Sequence, residues 1–281
     1  MKVIIESGAT KGDWRLISEQ DGTQHQIVAK GTNVSTMPMA SIRDIIHDTC
    51  CRIKEYEEKV TAVYLYTAGV LTPEITQELR SFFIEEFGEI ECDVQTDLTA
   101  AARAACGHEC GIAAILGTGS NSCFYDGNEI VKNVKPLGYI LGDEGSNAYM
   151  GKHFIADVLK ELAPKDLITA FYDKYQLSLN TLMDQVYTNS LPNRSLAQYA
   201  FFLRDHLDSE YVYSLVYNSL MQFFKRNISQ YDYRDYPLSF VGSTCVMYEE
   251  VLRRVADDFG ASIKKISKYS MPGLVEFHSG Q

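Results

Sequence analysis

A strand that ends in a glycine-rich corner constrains the fold of this chain more than any other feature of its sequence. The apolar run Ile112–Leu116 stops at Gly117–Asn121 (GTGSN), and a second short run, Ser122–Tyr125, leads into an Asp126-Gly127 turn. This order predicts a strand, a corner, a second strand and a hairpin turn. Glycines at the end of a strand let backbone N–H groups approach an anion closely, because no Cβ intervenes. The pattern therefore favours a phosphate site, with two unrelated glycine turns as the alternative.

The same stretch continues into an acidic loop. The segment Gly142–Ser146 (GDEGS) places two carboxylates between glycines, just before a helical pattern begins. A corner that can hold phosphate, followed by an acidic loop, indicates that the chain handles a nucleotide and a second substrate.

The opening of the chain repeats this plan. The apolar run Val3–Ile5 is followed by the small-residue segment Glu6–Asp13, by a second strand over 14–17 and by a third over 24–29. Two copies of one plan predict an internal duplication in which each copy starts a domain. The copies lie too far apart in the chain to be the repeats of a solenoid. Short apolar strands alternate with amphipathic helices after each copy. We therefore predict an α/β protein of two βββαβαβα domains, at 1–108 and 109–281, with a helical insert at about 164–235.

Composition narrows the possible functions. A net charge of −11 makes nucleic acid or an anionic membrane surface an unfavourable main partner. No run approaches the roughly 18 apolar residues of a membrane span. The opening Met1–Ile5 also reaches Glu6 too soon for a signal peptide. The 7 cysteines lack the spacing of a disulfide scaffold, which is typical of a reducing compartment. We therefore expect a cytoplasmic protein without nucleic-acid or membrane partners.

Six segments spread over nearly the whole chain match one protein family. They are SGATKGDW (7–14), TDLTAAARA (96–104), LGTGSNSC (116–123), PLGYILGDEGS (136–146), LPNRSLA (191–197) and FVGSTC (240–245). On these segments the chain resembles the bacterial N-acetylglucosamine kinases, which carry the BadF/BadG/BcrA/BcrD ATPase domain within the actin-like ATPase and sugar-kinase superfamily. The resemblance implies two ribonuclease H-like domains around a cleft, with the ATP phosphates held by both hairpin corners. It also implies an amino-sugar substrate and a homodimer.

Asp97 matches the general base of this family. Its carboxylate would take the proton of a sugar hydroxyl as that oxygen attacks the γ-phosphoryl group of ATP. The residues alone also allow a helix N-cap before Leu98, and both roles can hold at once.

Other positions match the ligand contacts of the family. Those that match contacts to the sugar, or to sugar or phosphate, are Asn33, Thr118, Gly138, Tyr139 and Asp143. Those that match contacts to the ATP phosphates or to adenosine are Gly8, Thr10, Lys11, Gly117, Gly119, Ser120, Gly242 and Ser243. The alternative for Tyr139 is an aromatic side chain packed into a turn, and the alternative for Ser243 is an ordinary turn residue.

Glu6 stands where the family usually has aspartate, as in DSGSTKTDW. That acid orients the hydrated Mg²⁺ beside the phosphates, so the resemblance implies ATP and Mg²⁺ as cofactors and assigns Glu6 to the metal. Glutamate in place of this aspartate leaves open a second hypothesis, a nucleotide- or sugar-binding sensor that has lost turnover. The retained Asp97 argues against it. A third hypothesis, an activating ATPase of a radical dehydratase, needs a cluster held by cysteines, which Cys106 and Cys110 do not match.

Overall fold

The computed structural model describes residues 1–8, 10–69 and 72–280, so Ala9, in the first glycine corner, lies outside the described residues. The chain divides into two compact units. One consists of Met1–Gly107 with the segment that begins at Ser270, and the other is His108–Tyr269. Each unit contains one five-stranded sheet with helices. The predicted α/β fold with two related sheets is therefore confirmed.

The first unit opens with the predicted order of elements. They are β1 (Lys2–Ser7), β2 (Lys11–Ile17), β3 (Gln24–Lys30), α1 (Met39–Ile53), β4 (Ala62–Thr67), α2 (Pro73–Phe87), β5 (Glu91–Thr96) and α3 (Asp97–Cys106). The sheet order is β3-β2-β1-β4-β5, antiparallel from β3 to β1 and parallel from β1 to β5. Every residue of β4 is buried, as is expected of a parallel strand covered on both faces.

The second unit repeats this order. Its elements are β6 (Gly111–Leu116), β7 (Ser120–Tyr125), β8 (Ile130–Val134), α4 (Gly138–Leu141), α5 (Asn147–Leu159), α6 (Lys165–Tyr175), α7 (Leu179–Tyr187), α8 (Pro192–Ala197), α9 (Ala200–Asp205), α10 (Glu210–Arg226), β9 (Leu238–Val241), α11 (Ser243–Met247), α12 (Glu249–Phe259) and β10 (Ile263–Ser267). The order β8-β7-β6-β9-β10 matches that of the first sheet strand for strand. Helices α6 to α10 lie where the insert was predicted. None of the helices in the described ranges is both long and apolar enough to cross a membrane.

The last helix, α13 (Met271–Ser279), belongs to the first unit, whereas the predicted boundary placed residues 109–281 together. It packs on α3, where a Cβ added to Gly273 would lie only 2.2 Å from the carbonyl oxygen of Ala104. Met271 and Leu274 share a buried cluster with the small side chains of α3. An alanine-rich helix cannot fill a core by itself, so these larger side chains complete the packing.

Candidate functional site

The parallel strands of the first unit hold a loop across their carboxyl ends. The Ser7 hydroxyl accepts a hydrogen bond from the backbone N–H of Thr32 at 2.8 Å, and the Thr67 hydroxyl donates to the Thr32 carbonyl at 2.6 Å. In open α/β sheets, ligands bind at this edge. The loop that contains Asn33 is therefore fixed where such a ligand would bind.

Asn33 has a local structural role of its own. Its side-chain oxygen accepts a hydrogen bond from the backbone N–H of Ser35 at 2.9 Å, and its carbonyl accepts from Thr36 and Met37. Asn33 is half-buried. The oxygen of the carboxamide is thus used in the turn, whereas its NH₂ group can serve a ligand.

Glycine brings the first corner and this loop together. A Cβ added to Gly31 would lie 2.1 Å from the Gly8 carbonyl oxygen and 2.7 Å from the backbone nitrogens of Thr10 and Lys11. The backbone N–H of Gly8 donates to the Lys11 carbonyl at 3.1 Å, which closes the corner. Thr10 and Lys11 have exposed side chains. The corner therefore presents a hydroxyl and an ammonium group to solvent.

Asp97 is the first residue of α3, and the neighbouring Thr96 caps that helix. The Thr96 hydroxyl accepts from the backbone N–H of Thr99 at 3.2 Å, so the N-cap alternative for Asp97 is wrong. The backbone N–H groups of Leu98 and of Asp97 itself lower the pKa of the Asp97 carboxyl, against the larger effect of burial. Its side chain is accessible to solvent, but dense protein surroundings limit its hydration and raise its pKa. A carboxylate that is both accessible and more basic than usual suits a general base.

Glu6 lies among other carboxylates. Burial, followed by the negative charges of Asp13 and Asp97, raises the pKa of its side chain. The Asp13 carboxylate is already engaged, since it accepts from Arg15 at 3.1 and 3.2 Å and from Gln26 at 2.9 Å. Glu6 and Asp97 are therefore the acids available to a cation in this region.

This donor set fits a hydrated Mg²⁺ ion. Within residues 1–8, 10–69 and 72–280, no group of three or more His, Cys, Asp or Glu side chains could hold a metal by itself. Mg²⁺ needs no such group, because it keeps several waters and takes only one or two carboxylates besides the phosphates of a substrate. Two neighbouring acids that repel each other satisfy that requirement.

The predicted corner of the second unit is closed by its own backbone. The Gly117 N–H donates to the Gly119 carbonyl at 2.9 Å, and the Asn147 N–H at the start of α5 donates to the Gly117 carbonyl at 2.9 Å. Gly242 has a φ of +132°, and a Cβ added there would lie 2.1 Å from the Leu116 carbonyl oxygen. The corner before α11, which starts at Ser243, thus packs directly on the Gly117 corner.

Asp143 lies over this corner. It is buried, has a φ of +56°, and accepts a hydrogen bond from the Ser120 N–H at 3.2 Å. A Cβ added to Gly119 would come within 3.0 Å of its carboxylate. Burial and the charge of Glu144 raise the pKa of Asp143. The structure therefore brings Gly117, Gly119, Ser120 and Asp143 together in one unit, while the Thr118 side chain is exposed beside them.

Gly138 and Tyr139 lie in the short helix α4 of the acidic loop. Tyr139 is half-buried against Ala148 and Leu196. This position agrees with the alternative for Tyr139, an aromatic side chain packed into a turn. Its carbonyl accepts a hydrogen bond from the Lys152 ammonium group at 2.9 Å. The loop is thus fixed to α5 through the backbone of Tyr139.

Three residues that support these sites could not be recognised from the sequence. Arg226 on α10 pairs with Glu144 at 2.6 Å, and Lys152 fixes the α4 loop. Ser270, at the start of the last helix, lowers the pKa of the Glu6 carboxyl against the larger effect of burial. Each contact joins positions far apart in the chain, and no local pattern marks them.

Comparison with known proteins identifies the family. The sequence profile of the BadF/BadG/BcrA/BcrD ATPase family matches residues 5–191. The chain belongs to this family. The match covers the first corner, Asp97 and the second corner with its acidic loop, so the fold and the glycine corners described above are those of a BadF/BadG/BcrA/BcrD ATPase.

Solved structures agree with this membership. A protein from Porphyromonas gingivalis, provisionally named an N-acetylglucosamine kinase, is 38% identical, covers 100% of this chain and 99% of its own, and has a TM-score of 0.92. A protein of the same provisional name from Chromobacterium violaceum is 17% identical over 98% of both chains, with a TM-score of 0.78. A ROK family glucokinase from Streptomyces griseus, in complex with glucose and AMPPNP, is 13% identical over 99% of this chain and 98% of its own, with a TM-score of 0.58. The last two show a shared fold only. No curated protein matches this member of the BadF/BadG/BcrA/BcrD ATPase family.

Proposed function

We propose that this protein is an ATP-dependent sugar kinase, and specifically that it converts N-acetylglucosamine to its 6-phosphate. The observation that carries the proposal is the Asp97 carboxylate, which is accessible, has a raised pKa and stands beside Glu6 at the carboxyl end of the parallel strands. Membership in an ATPase family and the name given to the Porphyromonas gingivalis relative support it.

Asp97 performs the chemical step in this proposal. Its carboxylate oxygen removes the proton of the sugar hydroxyl while the hydroxyl oxygen bonds to the γ-phosphorus of ATP. The bond between that phosphorus and the β–γ bridging oxygen breaks, and ADP leaves. The carboxylate stands at the start of α3, whose first residue is Asp97. Glu6 would hold a hydrated Mg²⁺, whose charge offsets that of the phosphate oxygens.

Other residues bind and orient the two substrates. The two glycine corners would bind phosphate, with Gly8, Thr10 and Lys11 in the first unit and the corners at 117–120 and 242–243 in the second. Because the N–H groups of Gly8, Gly117 and Ser120 already bond within the protein, the remaining N–H groups and the exposed side chains of Thr10 and Lys11 would contact the phosphates. Asn33, Thr118, Gly138, Tyr139 and Asp143 would contact the sugar. A buried polar group left without a partner costs about 1–3 kcal/mol, so a sugar that lacks the matching hydroxyl or acetamido group binds less well.

A coupled assay of ADP release tests the function. We expect ADP release to depend on sugar. Among N-acetylglucosamine, glucosamine, N-acetylmuramic acid and glucose at equal concentration, it should be fastest with N-acetylglucosamine. Reactions without sugar provide the baseline for ATP hydrolysis. Binding of sugar and ATP in a thermal-shift assay without any release would contradict the kinase proposal and favour the sensor. Iron bound to anaerobically purified protein would favour the dehydratase activator.

Substitutions at Asn33 test its proposed contact with the acetamido group. Asn33→Asp retains the oxygen that accepts from Ser35 but lacks the NH₂ donor. We expect it to weaken sugar binding about tenfold, the usual effect of one lost hydrogen bond, and to leave ATP binding unchanged. Asn33→Ala removes the donor and the turn contact together, so it should also lower the thermal unfolding temperature. Calorimetric titration with each ligand separately checks both variants. Equal losses of affinity for sugar and ATP would mean that Asn33 acts in folding.

A further inference from the structure

The carboxylate of Glu6 lies beside the last helix of the chain. Helix α13 runs along β1, since the Lys2 ammonium group donates to the His278 carbonyl at 2.8 Å and Ile4 shares a buried cluster with Met271 and Leu274. Glu6 is the next residue on that face of β1, and the Ser270 hydroxyl and the Met271 N–H lower the pKa of its carboxyl, against the larger effect of burial. The charges of Asp13 and Asp97 repel this carboxylate and raise its pKa. The two groups of α13 therefore offset part of the repulsion from the two acids.

Ser270 uses its hydroxyl in an unusual way for a serine at a helix N-terminus. Ser146 and Ser178, which precede α5 and α7, each accept a hydrogen bond from the backbone N–H three residues later. Ser270 makes no such cap bond, although it is only 3% exposed. Its hydroxyl is thus available to donate to the carboxylate of Glu6.

The position of α13 is fixed relative to Asp97. Gly273 lies against the backbone of Ala104 on α3, and Met271 and Leu274 are buried beside that helix. Asp97 is the first residue of the same α3. Two helices in such close contact set the distance between the groups at their N-termini, namely Ser270 on one helix and Asp97 on the other.

A glutamate needs this support more than an aspartate would. Its additional methylene gives it one more rotatable bond, and ordering that bond costs conformational entropy. Hydrogen bonds from fixed donors at the end of the side chain offset this cost and select one position of the carboxylate.

We propose that Ser270 is a positioning residue: together with the Met271 N–H, its hydroxyl fixes the Glu6 carboxylate beside Asp97, in the place from which Glu6 holds the hydrated Mg²⁺ of the nucleotide. The inference rests on the proposed function, because it gives Glu6 a metal to hold. It adds that the C-terminal helix is part of the metal-binding side of the first unit.

The test compares Ser270→Thr with Ser270→Val, two side chains of equal shape that differ in the hydroxyl. Ser270→Ala is a third variant, and Ser279→Ala, at the exposed far end of α13, is the matched control. The first readout is the affinity for Mn²⁺ in the presence of the ATP analogue AMPPNP, measured by electron paramagnetic resonance. The second is KM for Mg–ATP and for sugar, and the third is the thermal unfolding temperature.

Loss of a hydrogen bond to a charged group predicts about a tenfold weaker Mn²⁺ affinity for the valine and alanine variants. We expect KM for Mg–ATP to rise in parallel, KM for sugar to stay constant, and threonine and the Ser279→Ala control to bind Mn²⁺ as the parent does. Equal Mn²⁺ affinity in the valine and threonine variants would overturn the proposal, as would a lowered unfolding temperature without a change in Mn²⁺ affinity.

The Mn²⁺ measurement needs no turnover, which separates the two proposals. If the parent protein transfers no phosphoryl group to any sugar, the proposed function fails while the role of Ser270 can still hold. If the parent is an active kinase and the valine variant equals the threonine variant, only the role of Ser270 fails.

Discussion

Asp97→Asn is expected to lower kcat by about 10²–10⁴-fold and to leave the affinity for sugar nearly unchanged, because loss of a general base has an effect of that size. The amide has nearly the shape of the carboxylate but cannot accept the proton of the sugar hydroxyl. Asp48→Asn, on the exposed surface of α1, is a matched control that should retain the kcat of the parent. Initial rates of ADP release and calorimetric titration with sugar provide the two measurements. Full turnover with weakened sugar binding would assign Asp97 to recognition of the sugar instead.

The same substitution should not lower thermal stability. Dense surroundings raise the pKa of Asp97 in the folded state. An acid with a raised folded-state pKa stabilises the fold most at low pH, where it is protonated, and this stability falls as the pH rises from its ordinary pKa through the raised one. At neutral pH the ionised carboxylate is therefore unfavourable, and a neutral asparagine removes that effect. We expect an unfolding temperature at pH 7 equal to or above that of the parent. A clear decrease would show that the Asp97 carboxylate stabilises the fold.

The repeated hairpins could be predicted because their signals are local. Apolar runs of strand length, glycine corners and Asp-Gly turns recur in both halves, and each belongs to a few consecutive residues. The two sheets have equivalent strand orders for that reason. The cap of α3 was harder to assign, since threonine and aspartate both favour the N-cap position and Thr96 and Asp97 are adjacent.

Contacts between distant parts of the chain could not be read from the sequence. The apolar pattern of α13 shows that one of its faces is buried, but it does not show that Gly273 meets Ala104 on α3. The Arg226–Glu144 ion pair likewise joins a helix of the insert to the acidic loop. Such pairings depend on the assembled fold, and contacts of this kind hold the candidate sites in place.

Glu6→Gln should lose most of the activity and need a higher Mg²⁺ concentration, while Glu6→Asp should be neutral to activating. Glutamine keeps the length of the side chain but removes the charge that would hold the cation. Without that charge the cation is held less precisely beside the phosphates. Misplacement of a reacting group by about 1 Å costs on the order of a hundredfold in rate, so we expect a loss of about that size at low Mg²⁺. Aspartate restores the acid that is usual in the family and leaves room for an ordered water between the carboxylate and the metal.

Turnover measured against Mg²⁺ concentration for the parent and both variants provides the test. The unfolding temperature serves as the control for folding. Because burial raises the pKa of Glu6, the neutral glutamine should unfold at a temperature no lower than the parent does at pH 7. A loss of activity that Mg²⁺ partly restores, in a protein of unchanged stability, would place Glu6 at the metal. If the turnover of Glu6→Gln equals that of the parent at every Mg²⁺ concentration, then the acid has no metal role. That result would favour the sensor hypothesis, whose main support is the glutamate in place of the aspartate usual at this position.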